Sequence, residues 1–213
     1  RFSETYRALR EAIHGAEILG DVQSVHVQSP EELLRNGTHM VDLLVYLLDE
    51  RFERVMGHLT DAGGGDLDDS GGGGVAITES GTYVNVDATT SREITTGNWL
   101  IVGDEGKLEF SEYAGEIDYW RLEDSDEGAY GTEHVEAPLP EPVDGFDDSD
   151  EMFAAGAANV VGLLDGTAEN RSPGEEATHV LETIVGLFVS HYTGSAVDLP
   201  LDRPLQDVSI RSQ

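Results

Sequence analysis

The sequence predicts an α+β fold: one open, mostly antiparallel sheet of about six or seven strands, with helices covering one face. Three observations carry this. Apolar residues recur at helical spacing near the start, over 30–48 and in two segments beyond 148. From 51 to 122 the texture changes to short alternating runs. Ser80-Gly81 and Asp104-Glu105-Gly106 supply turns at hairpin distance. Strands gathered in one block, with helices before and after, are the signature of segregated α+β layering.

Each element has a local reason. Ser3 can cap a helix over 3–16, in which Tyr6, Leu9, Ile13 and Ala16 recur, and Gly15 and Gly20 bracket its end. Residues 21–28 alternate, with Val25 and Val27 opposite Ser24 and His26, as in a half-buried strand. Pro30 opens a helical stretch to Leu48, but Gly37 inside it places the proper start near Asn36, with 30–35 as a separate turn. Strands follow at 51–60, 75–80, 82–88, 98–103, 106–112 and 115–122, separated after 60 by a Gly/Asp loop at 61–74. The acidic, Pro-containing stretch 123–148 reads as a surface loop. A helix over 149–164 carries Met152, Phe153, Ala157, Val160, Val161 and Leu164. A second begins with Ser172 and Glu175 as a capping box around Pro173, buries Leu181, Ile184, Val185 and Phe188, and ends at Thr193-Gly194. Helices on one side leave the other sheet face bare, and its simplest cover is a second copy of the chain.

Composition narrows the function classes. The 213 residues hold 43 acidic and 12 basic side chains, a net charge of −31. Lys107 is the one lysine among those cations. So acidic a chain lacks the basic footprint that nucleic-acid backbones require, and anionic membrane surfaces repel it. No apolar run reaches the ~18 residues of a membrane span. The absence of cysteine removes disulfides, thiolate metal sites and a Cys nucleophile, and fits a cytoplasmic protein. The acids spread from Glu4 to Asp207 rather than forming one patch, which points to a surface adapted to high salt, as in a halophile.

Chemistry concentrates at Asn36-Gly37-Thr38-His39-Met40-Val41-Asp42. Gly37 allows close backbone approach, and an imidazole at the start of an apolar helix can exchange protons near neutral pH. Asp42, three residues on, can orient that ring. Read without further context, the stretch favours His39 as a satisfied core or interface histidine and Asp42 as a capping or surface acid. Tyr83 and Asn85 alternate with apolar residues on a strand and face either a substrate cleft or a dimer partner. Trp99 and Trp120 suit a core or an interface. Asp66-Leu67-Asp68-Asp69-Ser70-Gly71 looks like half a calcium loop, but its twelfth position is Ile77, so no metal site is expected.

Four segments in order resemble the C-terminal domain of the glucose-fructose oxidoreductase, inositol dehydrogenase and MocA-like family. They are Arg1-Phe2 with its helix and Gly20-Asp21-Val22; Gly37-Thr38-His39 with Asp42-Leu43; Gly103 to Leu108; and Ser190, Gly194, Val197, Leu199 and Pro200. The resemblance implies a dihydrodipicolinate-reductase-like α+β domain, 1–213, that binds substrate and oligomerises through its open sheet face. It implies that an N-terminal Rossmann domain, which would hold NAD or NADP, lies outside this sequence. The reaction implied is hydride transfer between a sugar or polyol carbon and the nicotinamide, with His39 as the catalytic acid/base. Arg1, Arg35, Asn36, Asp42 and Tyr83 are the substrate-contact candidates.

Two departures stand out. No G-x-G-x-x-G turn and no Glu-Lys-Pro occur, so this chain by itself is expected to bind no dinucleotide and to turn nothing over. Many members of that family carry an Asp four residues before the His, where this sequence has Arg35. Arg cannot accept a proton. Either the proton relay differs, or Arg35 binds an anionic substrate, or the domain is a non-catalytic relative, or Arg35 is a solvated residue paired with Glu31 or Glu32.

Overall fold

In the computed structural model, residues 1–30, 32–60, 71–90, 97–140, 146, 149–202 and 205 are described. The architecture is α+β. Among the described residues four α-helices, α1 (Glu4–His14), α2 (Asn36–Leu48), α3 (Ser149–Leu164) and α4 (Gly174–Thr193), accompany a sheet. Its strands are β1 (Val22–Pro30), β2 (Phe52–Leu59), β3 (Gly72–Thr78), β4 (Tyr83–Thr90), β5 (Asn98–Gly103), β6 (Gly106–Ser111), β7 (Glu116–Asp124), β8 (Thr132–Ala137) and β9 (Val197–Asp198).

Their order across the sheet is β8-β7-β6-β5-β1-β4-β3-β2-β9. Every pairing is antiparallel except β1 with β4, so β1 joins two antiparallel meanders at the centre. Alternation decides which face meets the helices. Val25 and Val27, Val84 and Val86, Trp99 and Ile101, and Leu108 and Phe110 point inward and are buried, beneath Leu9, Leu44, Ile184 and Phe188 of the helices. The opposite face carries two cross-strand rows. Met56, Val75, Asn85, His26 and Leu100 form one; Ile77, Tyr83, Ser24, Val102, Lys107 and Trp120 form the other. Lys107 stands 4.0 Å from the Trp120 ring centroid on this bare face.

Strand β2 is nearly an edge, because β9 pairs with it only at Arg54 and Val55. Helix α4 covers the exposed donors. Phe52 N–H donates to His179 Nε2 at 3.0 Å, Gly57 N–H to Ser190 Oγ at 3.0 Å and Leu59 N–H to His191 Nδ1 at 3.1 Å. Side chains of a covering helix thus occupy groups that would otherwise invite a foreign strand. Gly57 makes the approach possible: a Cβ there would lie 2.3 Å from the Leu187 carbonyl oxygen.

Several expectations need correction. The sheet has nine strands among the described residues, not six or seven. The extra ones are β8, inside the stretch read as a loop, and β9, in the tail. Gly72, Gly73 and Gly74 belong to β3 rather than to the preceding loop. The remainder of that loop, 61–70, including the Asp66 to Ser70 part of the calcium-like segment, lies outside the described residues. Ser172 forms no capping box: Pro173 is the N-cap of α4, and Ser172 N–H donates to Asn170 Oδ1. Leu181 is exposed rather than buried, as are Phe153, Val160, Val161 and Leu164 of α3.

Candidate functional site

Helix α2 begins at Asn36 without a side-chain cap. Gly37 is buried in this first turn, where a Cβ would sit 3.2 Å from Leu33 Cδ2 and 3.3 Å from Ile184 Cδ1. Glycine therefore lets the turn press against α4. Two residues on, His39 emerges exposed on the rim of a cavity of about 590 Å³. The cavity lies between α1, α2, α3, the end of β1, the start of β5 and the turn after β6. Asn36, Gln28, Trp99, Glu112 and Met152 contribute to its walls.

Opposite the helix, Trp99 stacks on Phe110 with centroids 5.3 Å apart, and Tyr6 meets Phe110 edge-on at 6.3 Å. This aromatic wall holds a carboxylate. Trp99 Nε1–H donates to Glu112 Oε1 at 3.0 Å, and the Tyr6 hydroxyl donates to the same side chain. Burial pushes the Glu112 carboxyl up from its ordinary range, while these two hydrogen bonds and the charge of His39 pull it back. Glu112 was not singled out from the sequence, where it is one of 23 glutamates. A signal existed: Leu108 and Phe110 point inward, and 112 follows them at the same parity in the turn that closes β6.

The other candidates separate into two groups. Arg1 and Asp42 lie on the cavity wall and are engaged with each other. Arg1 Nε donates to both Asp42 oxygens, at 3.1 and 2.9 Å, and Nη2 adds a contact of 2.7 Å. Arg1 also pairs with Glu176 and keeps only 6% of its side chain exposed. Both oxygens of Asp42 thus serve Arg1, in place of the expected role of orienting His39. Arg35 and Tyr83 fall elsewhere. The Arg35 side chain is 67% exposed, lies 3.8 Å from Glu32 and does not line the cavity. Glu31, the other expected partner, lies outside the described residues. Tyr83 projects from the bare face of the sheet, with its ring 6.3 Å from that of His26.

Among the described residues, no group of three or more His, Asp or Glu side chains could hold a metal ion. No described helix is long and apolar enough to cross a membrane. No strand–glycine loop–helix turn of the dinucleotide-binding kind occurs among the described elements, so these residues do not themselves fit a nicotinamide dinucleotide.

No protein-family model matches the sequence. No curated protein matches it either. Solved structures do. An NAD-binding protein from Listeria innocua superposes with a TM-score of 0.68 at 20% identity, covering 92% of this chain and 60% of its own. The WlbA dehydrogenase from Bordetella pertussis, in complex with NADH and UDP-GlcNAcA, gives 0.68 at 18% identity, covering 93% and 62%. A levoglucosan dehydrogenase, in complex with NADH and levoglucosan, gives 0.67 at 17% identity, covering 91% and 63%. The fold is the one these oxidoreductases share over that stretch. The chain spans about 60% of the length of the solved proteins it matches.

Proposed function

We propose that this chain is the substrate-binding and oligomerising domain of an NAD(P)-dependent oxidoreductase acting on a sugar or polyol hydroxyl. The observation that carries this reading is His39: an exposed imidazole on the rim of a polar-and-aromatic cavity, on the first turn of α2. An imidazole so placed can take the proton of a bound hydroxyl as the carbon becomes a carbonyl. Asn36 and Gln28 offer amide donors and acceptors to the remaining hydroxyls. The fold shared with nicotinamide-dependent dehydrogenases, two of them crystallised with sugar compounds, supports the same reading. Because the described residues do not fit a dinucleotide, the cofactor would be held by another part of the protein.

The bare sheet face, with Met56, Leu100 and Trp120, supports a homodimer through that face. The net charge of −31 supports work in concentrated salt. A second reading, a binding or assembly domain of the same fold without chemistry, is favoured by Arg35, which supplies no carboxylate beside His39. Reduction of a nicotinamide by the complete gene product with a panel of sugars separates them, since the second reading predicts no turnover at all. In the complete gene product, His39→Ala lowers kcat for a reactive sugar by about a hundredfold if His39 moves the proton. Unchanged turnover removes His39 from the reaction.

A further inference from the structure

The charges lining the His39 cavity are unevenly disposed, and the imbalance bears on what the cavity accepts. Among the described lining residues the one guanidinium is that of Arg1, already neutralised by Asp42 and by Glu176. Arg35, the cation nearest in sequence to His39, points into solvent beside Glu32 and does not reach the cavity. Apart from the ring of His39, a ligand therefore finds no uncommitted positive side chain among these residues.

The negative side is different. Glu112 is fixed to the aromatic wall by Trp99 Nε1–H at 3.0 Å and by the Tyr6 hydroxyl. A carboxylate has about four acceptor positions. These two donors leave others for a ligand, in a half-buried place where a second negative charge would be strongly disfavoured. The indole and phenol also hold the carboxylate in place, so a ligand donor meets a pre-oriented acceptor.

We propose that Glu112 sets the charge preference of this cavity, and that its ligand is a polyhydroxylated ring bearing an amino group rather than a carboxylate or phosphate. The proposal rests on reading the cavity as the substrate site. It departs from the anionic UDP-GlcNAcA bound by the WlbA dehydrogenase of the same fold. The ammonium of such a ring donates to Glu112, a charge-assisted bond stronger than the one a neutral hydroxyl makes.

The test compares three rings of equal size, glucosamine, glucose and glucuronate, binding to the complete gene product by titration calorimetry. Molar salt cuts the Debye length to about 3 Å, so the protein's overall negative charge no longer decides the order. Glucosamine is expected to bind about tenfold more tightly than glucose. Glucuronate is expected to bind at least tenfold more weakly than glucose. In Glu112→Gln, which keeps the shape and an oxygen for the Trp99 indole, the preference for glucosamine falls to near unity. Glucuronate binding as tightly as glucose overturns the proposal, as does an undiminished glucosamine preference in Glu112→Gln. The parental measurements decide the matter even if that variant does not fold. Binding to none of the three overturns both the proposal and the sugar reading. Loss of the order with sugar binding intact overturns the proposal alone, and the His39→Ala turnover test is independent of either.

Discussion

His179 ties α4 to the start of β2, and protonation should release that tie. Its Nε2 accepts the Phe52 N–H at 3.0 Å, its ring stacks on Phe52, and its side chain is buried. Burial, and then the charge of Arg51, lower its pKa from 6.5 to about 4. The unfolded chain therefore binds a proton on this residue at a higher pH than the folded one. Above about 6.5 both states are neutral there and the full contribution is present. As pH falls from 6.5 toward 4 the unfolded state gains the proton first, and stability is lost. At 1.36 kcal/mol per pKa unit the shift corresponds to about 3 kcal/mol, and discounting for solvent screening leaves about 2 kcal/mol. The assay is urea denaturation at pH 7.5 and 4.5, in fixed molar salt, of the parent and of His179→Gln. Glutamine can still accept the Phe52 N–H but does not titrate. The carboxylates titrate alike in both proteins, so the difference between the two pH dependences isolates His179. The parent should lose about 2 kcal/mol more than the variant over this range. Parallel losses would refute the reasoning.

Three further outcomes follow from the packing. Gly57→Ala places a Cβ 2.3 Å from the backbone oxygen of Leu187, which no rotamer change can relieve, and should destabilise by about 2 kcal/mol in urea denaturation. Asp42→Asn leaves the nearly buried Arg1 guanidinium with Glu176 as its remaining carboxylate and should lower stability by about 2 kcal/mol by the same measure. Met56, 58% exposed on the bare sheet face, tests association: sedimentation should show a dimer for the parent and a monomer for Met56→Asp, with the far-UV circular dichroism of the fold unchanged. A parent that sediments as a monomer across salt concentrations contradicts the proposed interface.

Much of the fold was legible because burial writes itself into periodicity. The inward row Val25, Val27, Ile101, Leu108 and Phe110 could be read from alternation, and Gly37 correctly placed the start of α2 at Asn36. The elements absent from the sequence expectation lie where that signal is weak. Strand β8 pairs only with β7 at the sheet's edge and carries Glu133, His134 and Glu136 largely in solvent, so it looks like acidic loop. Gly72 to Gly74 carry no side chains to alternate, yet strand β3 needs them: a Cβ on Gly74 would lie 2.1 Å from the Met56 carbonyl oxygen. The capping box failed because Pro173 took the cap position one residue later than expected.

The candidate site was legible along the chain but not across it. His39, Asn36, Arg1 and Asp42 do meet at one cavity. Which of them are committed to each other depends on long-range contacts: Arg1 and Asp42 are 41 positions apart. Tyr83 has the same alternation signal as an inward-facing residue and lies on the other side of the sheet, because parity alone does not say which face is covered. Glu112 needed the three-dimensional partners Trp99 and Tyr6 to distinguish it from every other acid.

His39 is proposed above as the proton-transferring group of a nicotinamide-dependent sugar or polyol oxidoreductase. The most direct measurement is the rate of nicotinamide reduction by the complete gene product, in molar salt, with a panel of neutral and amino sugars, beside His39→Gln. At least one of these sugars should be turned over, and the variant should lose about a hundredfold in kcat with KM little changed. Turnover that persists in the variant at the parental rate, or no nicotinamide reduction with any sugar, contradicts that proposal.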